Sequence, residues 1–263
     1  MTLILTHISK HGIVHASDSN LTAGGDTSAG ESQKTFEIKH LNAGLTVAGS
    51  YSVGGVRMNH WMNDFIQEQA RAGVSSLSDL AHNLGKELEA QMPPDEKAGG
   101  SMVHIAGYVE EENKSHPEFW FVRNVTGIDP NTGEYTGTSP NFQVTEDFWT
   151  RDCPKNKLMG AFRAGAYQVY VNGFASGRIG FVALQRIMND FFCGIWSNPN
   201  WAFRPPRSID ETKLLVELNV QVIGTLFKLS DYPAPFIGGN IQTYVIPQPP
   251  NTVTESPPSS GCC

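Results

Sequence analysis

Thr2, Asp18 and Lys34 are the residues of this chain whose types and order could do chemistry together. Cells trim an initiator Met when the next side chain is as small as Thr, so Thr2 is expected to carry a hydroxyl and a free α-amine on adjacent carbons. A Thr hydroxyl is a weak nucleophile near neutral pH and needs a base to take its proton. The α-amine suits that task, with an unperturbed pKa of about 7.7–8.0. A Lys34 cation within roughly 4–6 Å would lower that pKa and favour the neutral amine, and Asp18 would hold the lysine and balance its charge.

These residues need strands to bring them together. Residues 2–9 are rich in β-formers, Lys10-His11-Gly12 reads as a turn, and residues 13–18 resume as a strand, so Thr2 and Asp18 fall on paired neighbours. A glycine-rich loop at 21–30 separates them from a third strand that opens at Lys34. A fourth, Gly44-Leu-Thr-Val-Ala-Gly49, runs into Ser50-Tyr-Ser-Val-Gly-Gly55.

In this order and spacing the chain resembles the proteasome β-type subunits and their bacterial relatives, which are N-terminal nucleophile hydrolases. The residues that carry the likeness are Thr2 at a strand start, Ala16-Ser-Asp18-Ser on the second strand, Lys34 at the start of the third and Ala48-Gly49 at the end of the fourth. The resemblance implies a threonine peptidase with Thr2 as nucleophile, Asp18 and Lys34 as the supporting pair and the Gly49 backbone N–H in the oxyanion hole. It also implies an α+β fold, a four-layer αββα sandwich of two stacked antiparallel sheets flanked by helix pairs, over residues 2–246. Rings or barrels of copies of the chain, acting on peptides or unfolded proteins without a cofactor or metal, belong to the same expectation. An ATP-dependent unfoldase as a further partner is left open.

The chain departs from the family pattern near its last strand. In the stretch Ser230-Asp-Tyr-Pro-Ala-Pro-Phe-Ile-Gly-Gly239 the Gly-Gly survives, but Ile237 stands where the family has Ser, and Asp231 is displaced. The other family Ser has no clear counterpart among Gly160–Gly165 and Ser176-Gly177. Two alternatives therefore stand beside the peptidase: an amidase of the same fold acting on a small amide, and a non-catalytic assembly subunit. Leu21 and Phe36, expected near the pocket, lean towards apolar peptide side chains.

Helical periodicity marks 56–70, with Met58, Trp61, Met62, Phe65 and Ile66 on one face, and 76–92, with Leu77, Leu80, Ala81, Leu84 and Leu88 before Pro93-Pro94. Strands are expected at 102–109, 119–125, 142–144, 167–171 and 240–246, with a turn at Asp129–Gly133. Two later helices show stripes of Phe181, Leu184, Ile187, Met188, Phe191 and Ile195, and of Leu215, Leu218, Val222 and Leu226.

With 263 residues, 40% of them apolar, the chain can bury one sizeable core and shows no second domain. A net charge of −7 without a basic cluster argues against nucleic acid, because neutralising phosphates takes Lys and Arg. No segment reads as a membrane span, since 214–227 is interrupted by Glu217, Asn219 and Gln221, and a cytoplasmic location is expected. Cys153, Cys193, Cys262 and Cys263 show no metal spacing and suit a reducing compartment. The Pro/Ser-rich run 247–263 is expected to be a disordered tail. His7, His11 and His15 have ligand-like spacing, but Gly12 and the strand pattern make them surface or lining residues rather than metal ligands.

Overall fold

A computed structural model describes residues 2–23, 27–127, 136–148, 158, 167–173, 181–229, 231 and 237–252. In chain order the elements open with β1 (Leu3–Ser9), β2 (Gly12–Asp18), β3 (Asn20–Ala23), β4 (Thr27–Glu31), β5 (Thr35–Ile38) and β6 (Ala43–Gly49). A short hairpin of β7 (Ser52–Val53) and β8 (Val56–Arg57) precedes the helices α1 (Met58–Arg71), α2 (Leu77–Gln91) and α3 (Pro94–Ala98). Then come β9 (Ser101–Glu111), β10 (Lys114–Val125), β11 (Thr138–Thr145) and β12 (Gln168–Gly173). The helices α4 (Phe181–Ser197) and α5 (Ile209–Lys228) and the strand β13 (Ile241–Pro247) complete the described chain.

The fold is mixed α+β and its two main sheets are antiparallel, in the orders β12-β1-β2-β13 and β11-β10-β9-β6-β5. Three apolar clusters stack through the molecule. On one outer face, Phe36, Leu45, Val103 and Val122 of the five-stranded sheet meet the buried stripes of α1 and α2. Between the sheets lie Ile4, Ile8 and Ile13 against Met102, Phe119 and Phe121. On the other outer face, Leu3, Leu5, Val14 and Ala16 meet Val216, Val220, Ile223 and Phe227 of α5. β1 and β2 are therefore buried on both faces along their whole length.

Local signals agree with these elements. Ser76 caps α2 by accepting the Asp79 N–H at 3.0 Å, and Ser208 caps α5 by accepting the Glu211 N–H at 3.2 Å, each satisfying a donor left over in the first helical turn. The expected stripes of α1 and α2 are buried. Pro93-Pro94 ends α2, but Pro94 also starts α3, a use that its fixed φ favours.

Several expectations need correction. The glycine-rich stretch 21–30 is not a plain loop, because β3 and β4 pair across it. On α5 the buried face is Val216, Val220, Ile223 and Phe227, while Leu218 and Leu226 of the expected stripe are exposed. On α4, Ile187 and Phe191 are also exposed. The run after 246 does not start as a free tail: Pro247 closes β13, Ser115 donates its N–H to Asn251 C=O at 3.3 Å, and Ser115 bridges Thr252. Residues 253–263, the turn at 129–133, the segment 160–165, the pair 176–177, and Cys153, Cys262 and Cys263 lie outside the described residues. Among the described residues no helix is long and apolar enough to cross a membrane.

Candidate active site

β1 and β2 pair antiparallel with Ile4 opposite Ser17, which sets Thr2 and Asp18 at the same end of the central strand pair. Asp18 is buried and its carboxylate collects donors from three directions. Leu3 N–H donates to Oδ1 at 2.8 Å, Asn20 N–H and Gly238 N–H donate to Oδ2 at 3.2 and 3.3 Å, and Lys34 Nζ reaches Oδ1 at 3.2 Å. The carboxylate thus ties the residue after Thr2 to the lysine. Gly238 is half of the surviving Gly-Gly, so that pair contributes a main-chain donor to the site.

Lys34 immediately precedes β5 and is also buried. Its ammonium donates to Asn20 C=O at 2.5 Å as well as to Asp18. Burial pushes the Lys34 pKa down from its ordinary value, with the Asp18 charge opposing. Burial likewise pushes Asp18 up, opposed by the Lys34 charge and by the N–H donors of Leu3 and Gly238. The main chain at Lys34 is fixed by Gln242 of β13, whose Oε1 accepts the N–H groups of Lys34 and Thr35 at 2.7 and 3.3 Å and whose Nε2 donates to Ser32 C=O at 2.8 Å. Nothing in the spacing of the sequence pointed to Gln242, which lies 208 residues from Lys34.

Gly49 ends β6. Val47 N–H donates to Lys34 C=O on the β5 side and Ser50 N–H donates to Gly100 C=O on the β9 side. Because successive N–H groups along a strand alternate in direction, the Gly49 N–H turns to the β5 side, beyond the point where β5 begins. Gly49 has φ of +116°, and a Cβ there would lie 2.1 Å from Gly100 C=O, so only glycine fits.

Thr2, Lys34 and Gly49 line one open cleft. Leu21, Thr22, Val47, Tyr51 and Met58 also face it. Of the two residues expected to supply apolar contacts, Leu21 is there, but Phe36 is buried in the core under α1 and α2 and does not line the cleft. At the other departures from the expected pattern, Ile237 is buried against α5 and presents no hydroxyl, and Asp231 is exposed. What this arrangement can do chemically is present a hydroxyl, a buried cation and a glycine main chain along one cleft.

Of the three histidines expected to be surface or lining residues, His11 is half-buried with Nε2 3.1 Å from Pro206 C=O, and His7 lines a second cavity with Tyr167, Trp196 and Asn219, between β1, β12 and the helices α4 and α5, whereas His15 is enclosed between the sheets. His7 and His15 are buried, and His15 Nδ1 and His104 Nδ1 bracket the Thr6 hydroxyl at 3.0 and 3.1 Å between the two sheets. His15 Nε2 meets Ala106 C=O at 3.3 Å and His104 Nε2 meets Asn172 Oδ1 at 2.5 Å. Burial lowers the pKa of His7 and of His15 to about 4 and that of His104 to about 3. Among the described residues no group of three or more His, Cys, Asp or Glu side chains could hold a metal ion.

Comparison with known protein families and with curated proteins finds no match for this chain.

Proposed function

We propose that this chain is a threonine-type hydrolase of the N-terminal nucleophile class, acting on peptide bonds. One observation carries the reading: three residues from separate parts of the chain, Thr2, Lys34 and Gly49, line one cleft, and Asp18 links Lys34 to the main chain of Leu3, the residue after Thr2. Two stacked antiparallel sheets with helices on their outer faces support the αββα architecture of that class.

In the proposed reaction, loss of Met1 frees the α-amine of Thr2. The neutral amine takes the proton from Thr2 Oγ as the oxygen attacks the substrate carbonyl carbon, and the Gly49 N–H stabilises the resulting oxyanion. The amine then returns the proton to the leaving nitrogen as the C–N bond breaks, leaving an ester on Thr2. Water, deprotonated by the same amine, attacks the ester; the C–O bond to Thr2 breaks and the hydroxyl is restored. Lys34 disfavours protonation of the amine through its charge, and Asp18 keeps that lysine in place.

The assembly-subunit alternative is favoured by the buried Ile237, which leaves the family's Ser position without a hydroxyl to orient the amine. Turnover of a fluorogenic peptide by the wild type and by Thr2→Ala separates the two. A peptidase loses turnover by at least about 10³-fold in the variant; equal rates would exclude it.

A further inference from the structure

Between Gly49 and the start of α1 the chain makes a small hairpin, β7 and β8 joined by Gly54-Gly55. Both glycines have positive φ, +57° and +80°, as a tight primed turn requires. The base of this hairpin belongs to the cleft, because Ser50, Tyr51 and Met58 line it. Tyr51 is 45% exposed, with the Arg57 guanidinium 5.8 Å from its ring centroid.

A two-residue ladder cannot hold a hairpin by itself. This one is held from outside by a single side chain. Glu96 of α3 accepts the Ser52 hydroxyl at 2.5 Å and the Gly55 N–H at 3.1 Å on Oε1, and the Gly54 N–H at 2.8 Å on Oε2. The rest of the hairpin is anchored beneath. Val53 is buried in the α1–α2 core, Met58 N–H donates to Tyr51 C=O at 2.8 Å, and Ser50 N–H donates to Gly100 C=O at 3.0 Å. Glu96 does not line the cleft and the hairpin does not carry the nucleophile. The clamp's target is therefore the wall that a substrate would meet beyond its reacting carbonyl.

We infer that the hairpin is the specificity wall of the cleft, with Tyr51 as the residue that touches an extended peptide and Glu96 as the positioning residue that holds Tyr51 in place. The inference rests on the hydrolase reading above. It predicts that binding of an extended chain depends on Glu96 while the reactivity of Thr2 does not.

The test compares two probes of Thr2 on the wild type, Tyr51→Ala, Glu96→Ala and Glu96→Gln. One is a peptide epoxyketone with three apolar side chains; the other is a small β-lactone without a peptide arm, whose ring C–O bond opens as Thr2 Oγ is acylated. Labelling rates as a function of probe concentration give saturation and maximal rate separately. The expected result is a fall of about tenfold or more in the peptide probe's second-order rate in Tyr51→Ala and Glu96→Ala, through weaker saturation, with the lactone rate unchanged in Glu96→Ala. Glu96→Gln, whose amide oxygen still accepts from Ser52 and Gly55, recovers part of the loss. Peptide rates equal to the wild type in both alanine variants, or lactone rates that fall as far as peptide rates, would overturn the inference while leaving the hydrolase reading standing. A wild type that neither probe labels would overturn both.

Discussion

The buried Lys34–Asp18 pair is where most of the site's energetics reside, and its two members are not equivalent. Removing Asp18 strands an ammonium together with the N–H groups of Leu3, Asn20 and Gly238, whereas removing Lys34 leaves a carboxylate that keeps those three donors. Breaking a buried pair from one side costs about 3–5 kcal/mol. Asp18→Ala is therefore expected to lose more stability than Lys34→Met in urea unfolding, and both are expected to lose peptide turnover; a Lys34→Met protein with wild-type turnover would remove the lysine from the mechanism. Gly49 makes a second residue-scale prediction. At φ of +116° and with Gly100 C=O in the path of a Cβ, Gly49→Ala is expected to shift the end of β6 and lower turnover by about 10²–10³-fold, the usual loss for one oxyanion donor. Steady-state kinetics on the folded variant checks it.

At the scale of elements, the central strands carry a polar seam where an apolar interior would be expected. Thr6, His15, His104 and Asn172 join β1, β2, β9 and β12 across the two sheets. His7, His15 and His104 have folded pKa values of about 4, 4 and 3 against an unfolded value of 6.5. Below pH 6.5 the unfolded chain binds protons that the folded chain refuses, so stability is present at neutral pH and is lost as pH falls towards 4. Each such histidine contributes a slope of up to about 1.4 kcal/mol per pH unit in that window. Asp18, raised by burial, acts in the opposite direction above its ordinary value. Thermal melts between pH 7 and 4 should show a falling Tm, with a shallower fall in His15→Gln; a Tm that stays flat to pH 4 would contradict the burial of these rings. The α1 and α2 stripes were legible in the sequence because each helix has one apolar and one polar face, and the strands because runs of β-formers are bounded by turn signals. His15 was misread because a strand buried on both sides gives no alternation that tells inward from outward. On α5 two apolar stripes interleave at one period, and the buried one carries the small or polar Thr212 and Gly224, which diluted its signal. The juxtaposition of Thr2, Lys34 and Gly49 along one cleft, with Asp18 on Lys34, was legible from local spacing, and the contact that β13 makes through Gln242 to Lys34 was not.

At the scale of the molecule, α4 and α5 turn apolar side chains outward. Phe191 is 58% exposed and Leu214 64%, and Ile187, Leu218, Leu226 and Leu229 are exposed with them. Exposed apolar side chains that form one contiguous patch mark an interaction face more often than a solvated one. If copies of the chain assemble through it, Phe191→Glu and Leu218→Glu are expected to shift the species seen in sedimentation velocity to the monomer without lowering Tm; an unchanged distribution would place the assembly contact elsewhere. The claim on which the whole account turns is a free amine beside the Thr2 hydroxyl in a working cleft. Intact-mass spectrometry before and after incubation with a peptide epoxyketone, which joins a hydroxyl and its neighbouring amine in one ring adduct, tests it most directly. The account predicts a chain lacking Met1 that gains one probe mass mapped to Thr2. A chain that keeps Met1, or one that loses it and never gains the probe, would contradict the account.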